Sequence, residues 1–468
     1  MRNGKGPSFY GKMVHEFPFH NVPVEIKDRP VRNETLLWRC WEKLPVDRVV
    51  LIDTVENRTW TVQNLSDQSI QFGGHLASYR PGERIAFRLP NGSDWLALFL
   101  AIQRAGLVAV PLDAGLPKAG CLEIARRLKA RALYLDRQFI PFEKKPFRAG
   151  KSCCVKVTSG SDGIPDAVEC SAENLIADGG QIITTMKIRP SDRNLAVIPL
   201  GHSYGLGNLV MPLLLQGTSM VCGADFLPRQ LIDWIKRHRV TVFPGVPALF
   251  RVLAAIPPGT KLAPLRTVIS AGAILQASVA QAFFQRFGLK IHNFYGSSET
   301  GGICYDRTGS ASMRGRSVGK PLDGVSISLH RGRIKVRSAA VASRGGQWLL
   351  NDIGQWNHFN ELVLLGRLGQ TANIGGKKVH PLEVERLLRS LPHVTDAAVW
   401  IQPIEGRDYL AAGVETTLSR AKVENDLAAQ LPAWKLPKGY IIAKKLPRTG
   451  RGKIDLSALR ERINARIF

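Results

Sequence analysis

A chain of 468 residues with 44% hydrophobic and 22% charged residues has ordinary globular composition and is long enough to bury more than one core. Its 64 Lys and Arg against 38 Asp and Glu leave a formal charge of +26, which favours encounter with polyanions, yet no zinc-finger spacing, RNP aromatic pattern or dense basic block points to a nucleic-acid module. No apolar run approaches the ~20 residues of a membrane span, the basic N-terminus lacks the apolar stretch of a secretory signal, and seven scattered cysteines without a CxxC support neither zinc nor a disulfide framework. A cytoplasmic protein with reduced thiols as core fillers is therefore expected.

In chain order, the first seventy residues carry no interpretable motif. Arg84–Leu89 then alternates as a strand, Trp95, Leu96, Leu98, Phe99 and Ile102 recur at helical spacing, and Val108–Leu112 reads as a second strand. Strand, helix, strand implies a parallel sheet. The pattern recurs: strands are expected at Leu195–Leu200 and Ser219–Cys222 around a helix starting near Gly205. Further strands are expected at Val240–Phe243 after the amphipathic Gln230–Arg237, at Thr267–Ser270 before a helix through Val279–Phe287, and at Lys290–Phe294. Gly345–Gly354 reads as short strands with turns. Pro381–Leu391 is an amphipathic helix with proline at its start, followed by strands at Val394–Val399 and Ala411–Val414. The change of pattern predicts a large α/β domain over 1–365 and a small α+β domain over 366–468.

Six segments carry chemistry. Thr158-Ser159-Gly160-Ser161-Asp162-Gly163 is rich in hydroxyls and glycines, which lets backbone N–H groups approach phosphate oxygens, although it lacks the spacing of a Walker A loop. Ser270-Ala271-Gly272-Ala273 has little bulk, so a flat ring could lie against its backbone; taken alone, a tight strand-to-helix turn explains it better. Asn293-Phe294-Tyr295-Gly296-Ser297-Ser298-Glu299-Thr300 ends a strand with hydroxyls and one carboxylate. Asn351-Asp352-Ile353-Gly354 and Gly366-Arg367 follow, and then Asn373-Ile374-Gly375-Gly376-Lys377-Lys378-Val379-His380-Pro381. Last, Thr449-Gly450-Arg451-Gly452-Lys453 places a lysine on a glycine-flexed loop near the C-terminus.

In this order, the segments resemble those of the AMP-forming adenylate synthetases, the acyl-CoA synthetases and stand-alone adenylation enzymes, over roughly residues 75–460. The resemblance implies an adenylate-forming fold: a large α/β domain with layered sheets and a small mobile α+β domain. It implies ATP and Mg²⁺, with coenzyme A or a phosphopantetheine thiol as co-substrate. Thr158, Ser159, Gly160, Ser161 and Gly163 would cradle phosphate. Gly272, Ala273 and Tyr295 would form the adenine slot, with Asn293 and Gly296 beside it. Ser298 would contact the α-phosphate and Glu299 would hold Mg²⁺. Asp352 and Arg367 would hold the ribose, and Lys453 would bridge the acyl carboxylate and α-phosphate. Gly369 stands at the hinge position, commonly Asp or Lys, and still permits rotation.

The phosphate loop departs from the family at two positions. Asp162 replaces a hydroxyl residue and Asp166 replaces a lysine, and two carboxylates repel a triphosphate unless Mg²⁺ or lysines intervene. The acyl pocket is expected around Gly201-His202-Ser203-Tyr204, Val246-Pro247, Leu249 and Gly272. His202 and Tyr204 stand where amino-acid-activating relatives carry an aspartate, which favours an acid without an α-amino group, fatty or aryl. His202 either closes the pocket beside the carboxylate or caps the start of a helix. The expected activity is activation of such an acid to acyl-AMP with pyrophosphate release, then transfer to a thiol of coenzyme A or an acyl carrier protein. Lys377, Lys378, Lys435, Lys438, Lys444 and Lys445 would suit an acidic carrier protein. Two alternatives are an acyl-AMP passed to a non-thiol acceptor and a non-catalytic binder of acyl ligand, nucleotide or carrier protein. A monomer or homodimer is expected.

Overall fold

The structure is a computed structural model that describes residues 34–143, 150–158, 166–224, 226–257, 261–315, 317–368, 372–374, 377–404, 407–449 and 454–467. The large part holds two sheets built mainly from parallel strands. In the six-stranded sheet, Arg84–Arg88 and Val108–Leu112 pair in parallel around the helix Ser93–Arg104. The Val108–Leu112 strand is buried along its whole length, as a parallel strand covered on both faces must be. The nine-stranded sheet carries the site strands Val242–Gly245, Thr267–Ser270 and Ile291–Ser297 side by side in parallel. Gly301–Tyr305 then returns antiparallel to Ile291–Ser297. One continuous apolar core joins both sheets, with Phe87, Trp95, Phe99, Phe243, Phe250 and Phe283 among its fully buried side chains.

The sheet begins earlier than the sequence motifs do. Val49–Asp53 and Arg58–Thr61 add to the nine-stranded sheet, and Val62–Leu76 is a helix opened by a reciprocal capping box between Thr61 and Asn64. The strand expected over Leu195–Leu200 is shorter, Arg193–Leu195. Beyond it the backbone leaves the sheet because the Asn91 amide takes its place: Nδ2 donates to the carbonyls of Ala196 and Ile198 (both 2.9 Å), and Oδ1 accepts from the N–H of Leu200 (2.9 Å). Buried backbone groups need partners, and one side chain supplies three here. The helical stretch that follows starts at Ser203 and widens into a π-type turn over Leu206–Val210 before continuing to Gln216. A Cβ on Gly205 would stand 2.0 Å from the Pro199 carbonyl oxygen, so only glycine lets this helix start so close to the preceding turn.

Gly345–Gly354 was expected as short strands. Instead, Gln347–Trp356 is a single ten-residue strand in a four-stranded antiparallel sheet with Ser326–His330, Arg333–Arg337 and Leu362–Arg367. Pairing on both edges stabilises a strand that alternation alone reads as broken. C-terminal to this sheet, Val394–Ile404, Arg407–Thr416 and Gly439–Ala443 form a three-stranded sheet. The helix Pro381–Ser390 packs on it around Val384, Leu388, Val399 and Val414. All seven cysteines are free; Cys40 is half-buried and the other six are buried. Among the described residues no helix is long and apolar enough to cross a membrane.

Asp192 ties strand starts of the nine-stranded sheet together. Its carboxylate accepts from the Arg189 N–H (2.7 Å), the Thr241 hydroxyl (2.8 Å) and the Arg266 guanidinium (Nε 3.0 Å). Burial pushes its pKa up, but these donors outweigh it and hold the carboxyl below the ordinary carboxylate range. A depressed folded pKa contributes stability that is complete above about pH 4 and is lost as pH falls below it. Asp192→Ala is expected to cost about 2–3 kcal/mol, and urea unfolding at neutral pH and at low pH should show that difference shrink on acidification.

Candidate active site

The Ile291–Ser297 strand runs to the carboxyl edge of the nine-stranded sheet, where open α/β sheets bind ligands. It delivers Asn293, Tyr295 and Gly296, and the turn to Gly301–Tyr305 delivers Ser298 and Glu299. Gly296 is dictated by contact, since a Cβ there would lie 2.6 Å from the Gly301 carbonyl oxygen across the hairpin. Gly272 follows the neighbouring Thr267–Ser270 strand with φ of 80°, and Val246 Cγ1 at 3.8 Å is all that an added Cβ would meet. This strand end is thus open on the side facing Val246, and Ala273 beside it is exposed.

The four-stranded antiparallel sheet supplies the other wall. Antiparallel register places Asp352 directly opposite Arg367. Arg367 Nε donates to Asp352 Oδ1 at 2.8 Å, and the Tyr295 hydroxyl donates to Asp352 Oδ2 at 2.5 Å. Burial, reinforced by the Asp352 carboxylate, pushes the Tyr295 phenol far up, so it stays protonated and donates. Two residues from separate segments therefore meet on the Asp352 carboxylate, which is largely shielded at 15% exposure.

On the acyl side, His202 stands at the helix start, where its Nδ1 accepts from the Tyr204 N–H at 3.2 Å. It also lines a cavity of about 490 Å³ whose walls include Trp95, Pro111, Leu112, Val157, Leu200 and Phe226. That cavity does not extend to Tyr295 or Asp352. Tyr204 is buried, and its hydroxyl is taken up by the carbonyls of Gly245 (3.3 Å) and Ile269 (3.1 Å), so it has a polar tie to two strand ends. The Asn293 amide donates to the Ser317 carbonyl at 2.9 Å and so braces the adjoining loop.

Of the phosphate loop, Thr158 closes the Ser152–Thr158 strand and pairs in register with Asp166. Ser159, Gly160, Ser161, Asp162 and Gly163, the hinge candidate Gly369 and Lys453 lie outside the described residues. The flanks of the lysine loop are placed. Arg448 and Ile454 pair across it, and Asp455 N–H donates to the Pro447 carbonyl at 2.9 Å. The Arg448 guanidinium is held by Asp396 (3.0 Å) and Glu415 (2.9 Å). The same Asp396 carboxylate lies 3.5 Å from Arg251, on the helix Pro247–Ala254 of the large part.

Two residues, Lys156 and Asp178, and one contact escaped sequence reading. Ser203 Oγ lies 2.7 Å from Ser298 Oγ, which joins the acyl-side helix start to the phosphate-side turn. Lys156 and Asp178 are each 3% exposed beneath that turn. A lysine inside the otherwise apolar run Cys153-Cys154-Val155-Lys156-Val157, and an aspartate amid the apolar helix Ala172–Met186, were the available signals.

The chain matches the AMP-binding enzyme family over residues 37–146 and 135–333, and the AMP-binding enzyme C-terminal domain over 383–453. The match begins at residue 37, well before residue 75, because the early strands and helix belong to the same sheet. Feruloyl-CoA synthase of an Amycolatopsis species is 26% identical over 447 residues, covering 83% of this chain and 91% of that one. The indoleacetate–CoA ligase of Aromatoleum aromaticum is 26% identical over 352 residues, covering 66% and 67%. Among solved structures, ATP-bound MatB from Rhodopseudomonas palustris superposes with a TM-score of 0.79 at 23% identity over 92% of this chain and 99% of that one. MenE from Bacillus subtilis, in complex with the acyl-adenylate intermediate OSB-AMP, gives 0.77 at 22% over 91% and 98%. With the adenylate-forming fold in place and more than half of its length matched, the chain belongs to the AMP-binding enzyme family.

Proposed function

We propose that the protein activates a carboxylic acid with ATP to acyl-AMP and then transfers the acyl group to the thiol of coenzyme A. The observation that carries this reading is the meeting of Tyr295 and Arg367 on the Asp352 carboxylate, next to a strand end kept free of side-chain bulk at Gly272. In the first step a carboxylate oxygen attacks the α-phosphorus, the bond from that phosphorus to the bridging oxygen breaks, and pyrophosphate leaves. In the second, the thiol sulfur attacks the acyl carbon, its proton is released, and AMP departs with the former mixed-anhydride oxygen.

The chain's residues take the following parts. The Gly272–Ala273 backbone and the Tyr295 ring hold the adenine between them. Asp352 accepts from the ribose hydroxyls, with Tyr295 and Arg367 fixing its two oxygens. Ser298 donates to the α-phosphate. Glu299 is half-buried at the same turn and would hold Mg²⁺ together with substrate phosphates, the way this ion is commonly bound. Mg²⁺ supplies charge neutralisation for the triphosphate. Lys453 places its ammonium where negative charge builds up during attack. The residues C-terminal to Gly369 move as a unit about it, while Arg367 stays paired with Asp352 in the sheet, and this withdraws Lys453 before the thiol enters.

The acid is a fatty or aryl acid without an α-amino group. The relatives that act on feruloyl and indoleacetate groups favour the aryl class. Coenzyme A is favoured as acceptor because the named relatives are CoA ligases. An acidic carrier protein presented to the basic residues around Lys435 and Lys438 is the second acceptor to try. The test is pyrophosphate release with ATP, Mg²⁺ and a panel of aryl and fatty acids, with and without coenzyme A. Release with an aryl acid and thiol-dependent thioester formation is the expected result. Ligand binding without turnover on any acid would overturn the reading in favour of a repurposed binding protein.

A further inference from the structure

The turn that carries Ser298 and Glu299 is gripped from below by two buried groups of opposite charge. Lys156 Nζ, on the Ser152–Thr158 strand, lies 3.5 Å from the Ser298 carbonyl oxygen. Asp178 Oδ1, on the Ala172–Met186 helix, accepts from the Gly302 N–H at 2.8 Å. Lys156 therefore addresses one end of the turn and Asp178 the other. Asp178 is wedged in place: a Cβ on Gly301 would lie 2.4 Å from its Oδ1, and a Cβ on Gly207 would lie 3.1 Å from its Oδ2. The two glycines make room for a carboxylate that reaches both the turn and the acyl-side helical stretch.

The Asp178 and Glu299 carboxylates both favour the charged form of Lys156. The thiols beside it, Cys154 and Cys170, are pushed up by burial and stay neutral. A lysine buried this deeply persists only where its charge has partners. An apolar residue would fill this strand position with no such cost, so the charge needs a reason. The lysine sits two residues before Thr158, on a strand whose last residue pairs with Asp166 at the start of the next strand.

We propose that Lys156 is a positioning residue for adenylation: with Asp178 as its counter-charge, it clamps the Ser297–Gly302 turn so that Ser298 and Glu299 are presented in fixed geometry to the phosphates. The clamp reaches the acyl side through the 2.7 Å contact of Ser298 with Ser203. The proposal rests on the adenylation reading above, but it makes a structural demand that can be measured without substrates.

The experiment compares wild type, Lys156→Met and the double variant Lys156→Met/Asp178→Asn, which removes both charges at nearly constant volume. Amide hydrogen exchange of the unliganded proteins over residues 297–302, thermal unfolding, AMP binding by calorimetry, and kcat and KM for pyrophosphate release are measured on each. The expected result is faster exchange confined to that turn in both variants, recovery by the double variant of the stability lost in the single one, and weaker AMP binding in both because Ser298 is no longer held against the α-phosphate. The kcat falls about 10–100-fold in both, with KM for the acid little moved. Wild-type exchange at the turn in the folded double variant, or recovery of kcat along with stability, would overturn the clamp and leave the pair as internal charge balance. If wild type itself turns over no acid, the adenylation reading fails, and the exchange measurement still decides whether Lys156 holds the turn.

Discussion

Lys453→Ala is expected to slow acyl-AMP formation by about 10²–10³-fold, the size of effect seen when a group aimed at developing transition-state charge is removed. Thioester formation from pre-formed acyl-AMP and coenzyme A should be largely unaffected, because that step follows withdrawal of the lysine. The asymmetry is the informative part. Attack on the α-phosphorus gathers negative charge between two anions, so it depends on a cation. Attack of a thiol on an acyl carbon has no such need. The flank before Lys453 is held by Arg448 on Asp396 and Glu415, contacts that the substitution does not touch. Measuring both half-reactions on the same preparation checks the prediction. Equal losses in both would place Lys453 outside the chemistry.

Asp352→Ala should raise the KM for ATP and weaken AMP binding by about 10–100-fold, the loss expected for hydrogen bonds to a shielded charged group. Asp352 fixes Tyr295 and Arg367 at once, so its removal frees the phenol and the guanidinium as well as the ribose hydroxyls. Tyr295→Phe keeps the ring and removes one donor to the carboxylate, so its effect should be smaller and the kcat largely retained. Calorimetry with AMP, needing neither acid nor Mg²⁺, separates this nucleotide effect from the chemistry. Equal AMP affinity in Asp352→Ala and wild type would remove Asp352 from the nucleotide site.

Much of the site was legible because its chemistry is local in sequence. Tyr295, Gly296, Ser298 and Glu299 lie on one strand and its turn, so a short string states their arrangement. Asp352 and Arg367 were readable as a pair by order, and antiparallel register then set them face to face. The alternation of strands and helices announced a parallel sheet because the side-chain period changes from two to 3.6 between elements.

What only the tertiary structure decided lies where partners are distant in the chain. Asn91 ends the strand at Leu195 by bonding backbone more than a hundred residues away, and no local propensity encodes that. Lys156 and Asp178 are unremarked charges in sequence, and they become a clamp only when a strand, a helix and a hairpin meet. Asp396 holds Arg448 and also reaches Arg251, 145 residues before it in the chain. The sequence by itself determined the family, the order of the site segments and the chemistry they can carry, because those depend on residue type and near spacing. The position of buried charges was left to packing, because the low-dielectric interior sets their cost and only the folded chain supplies their partners.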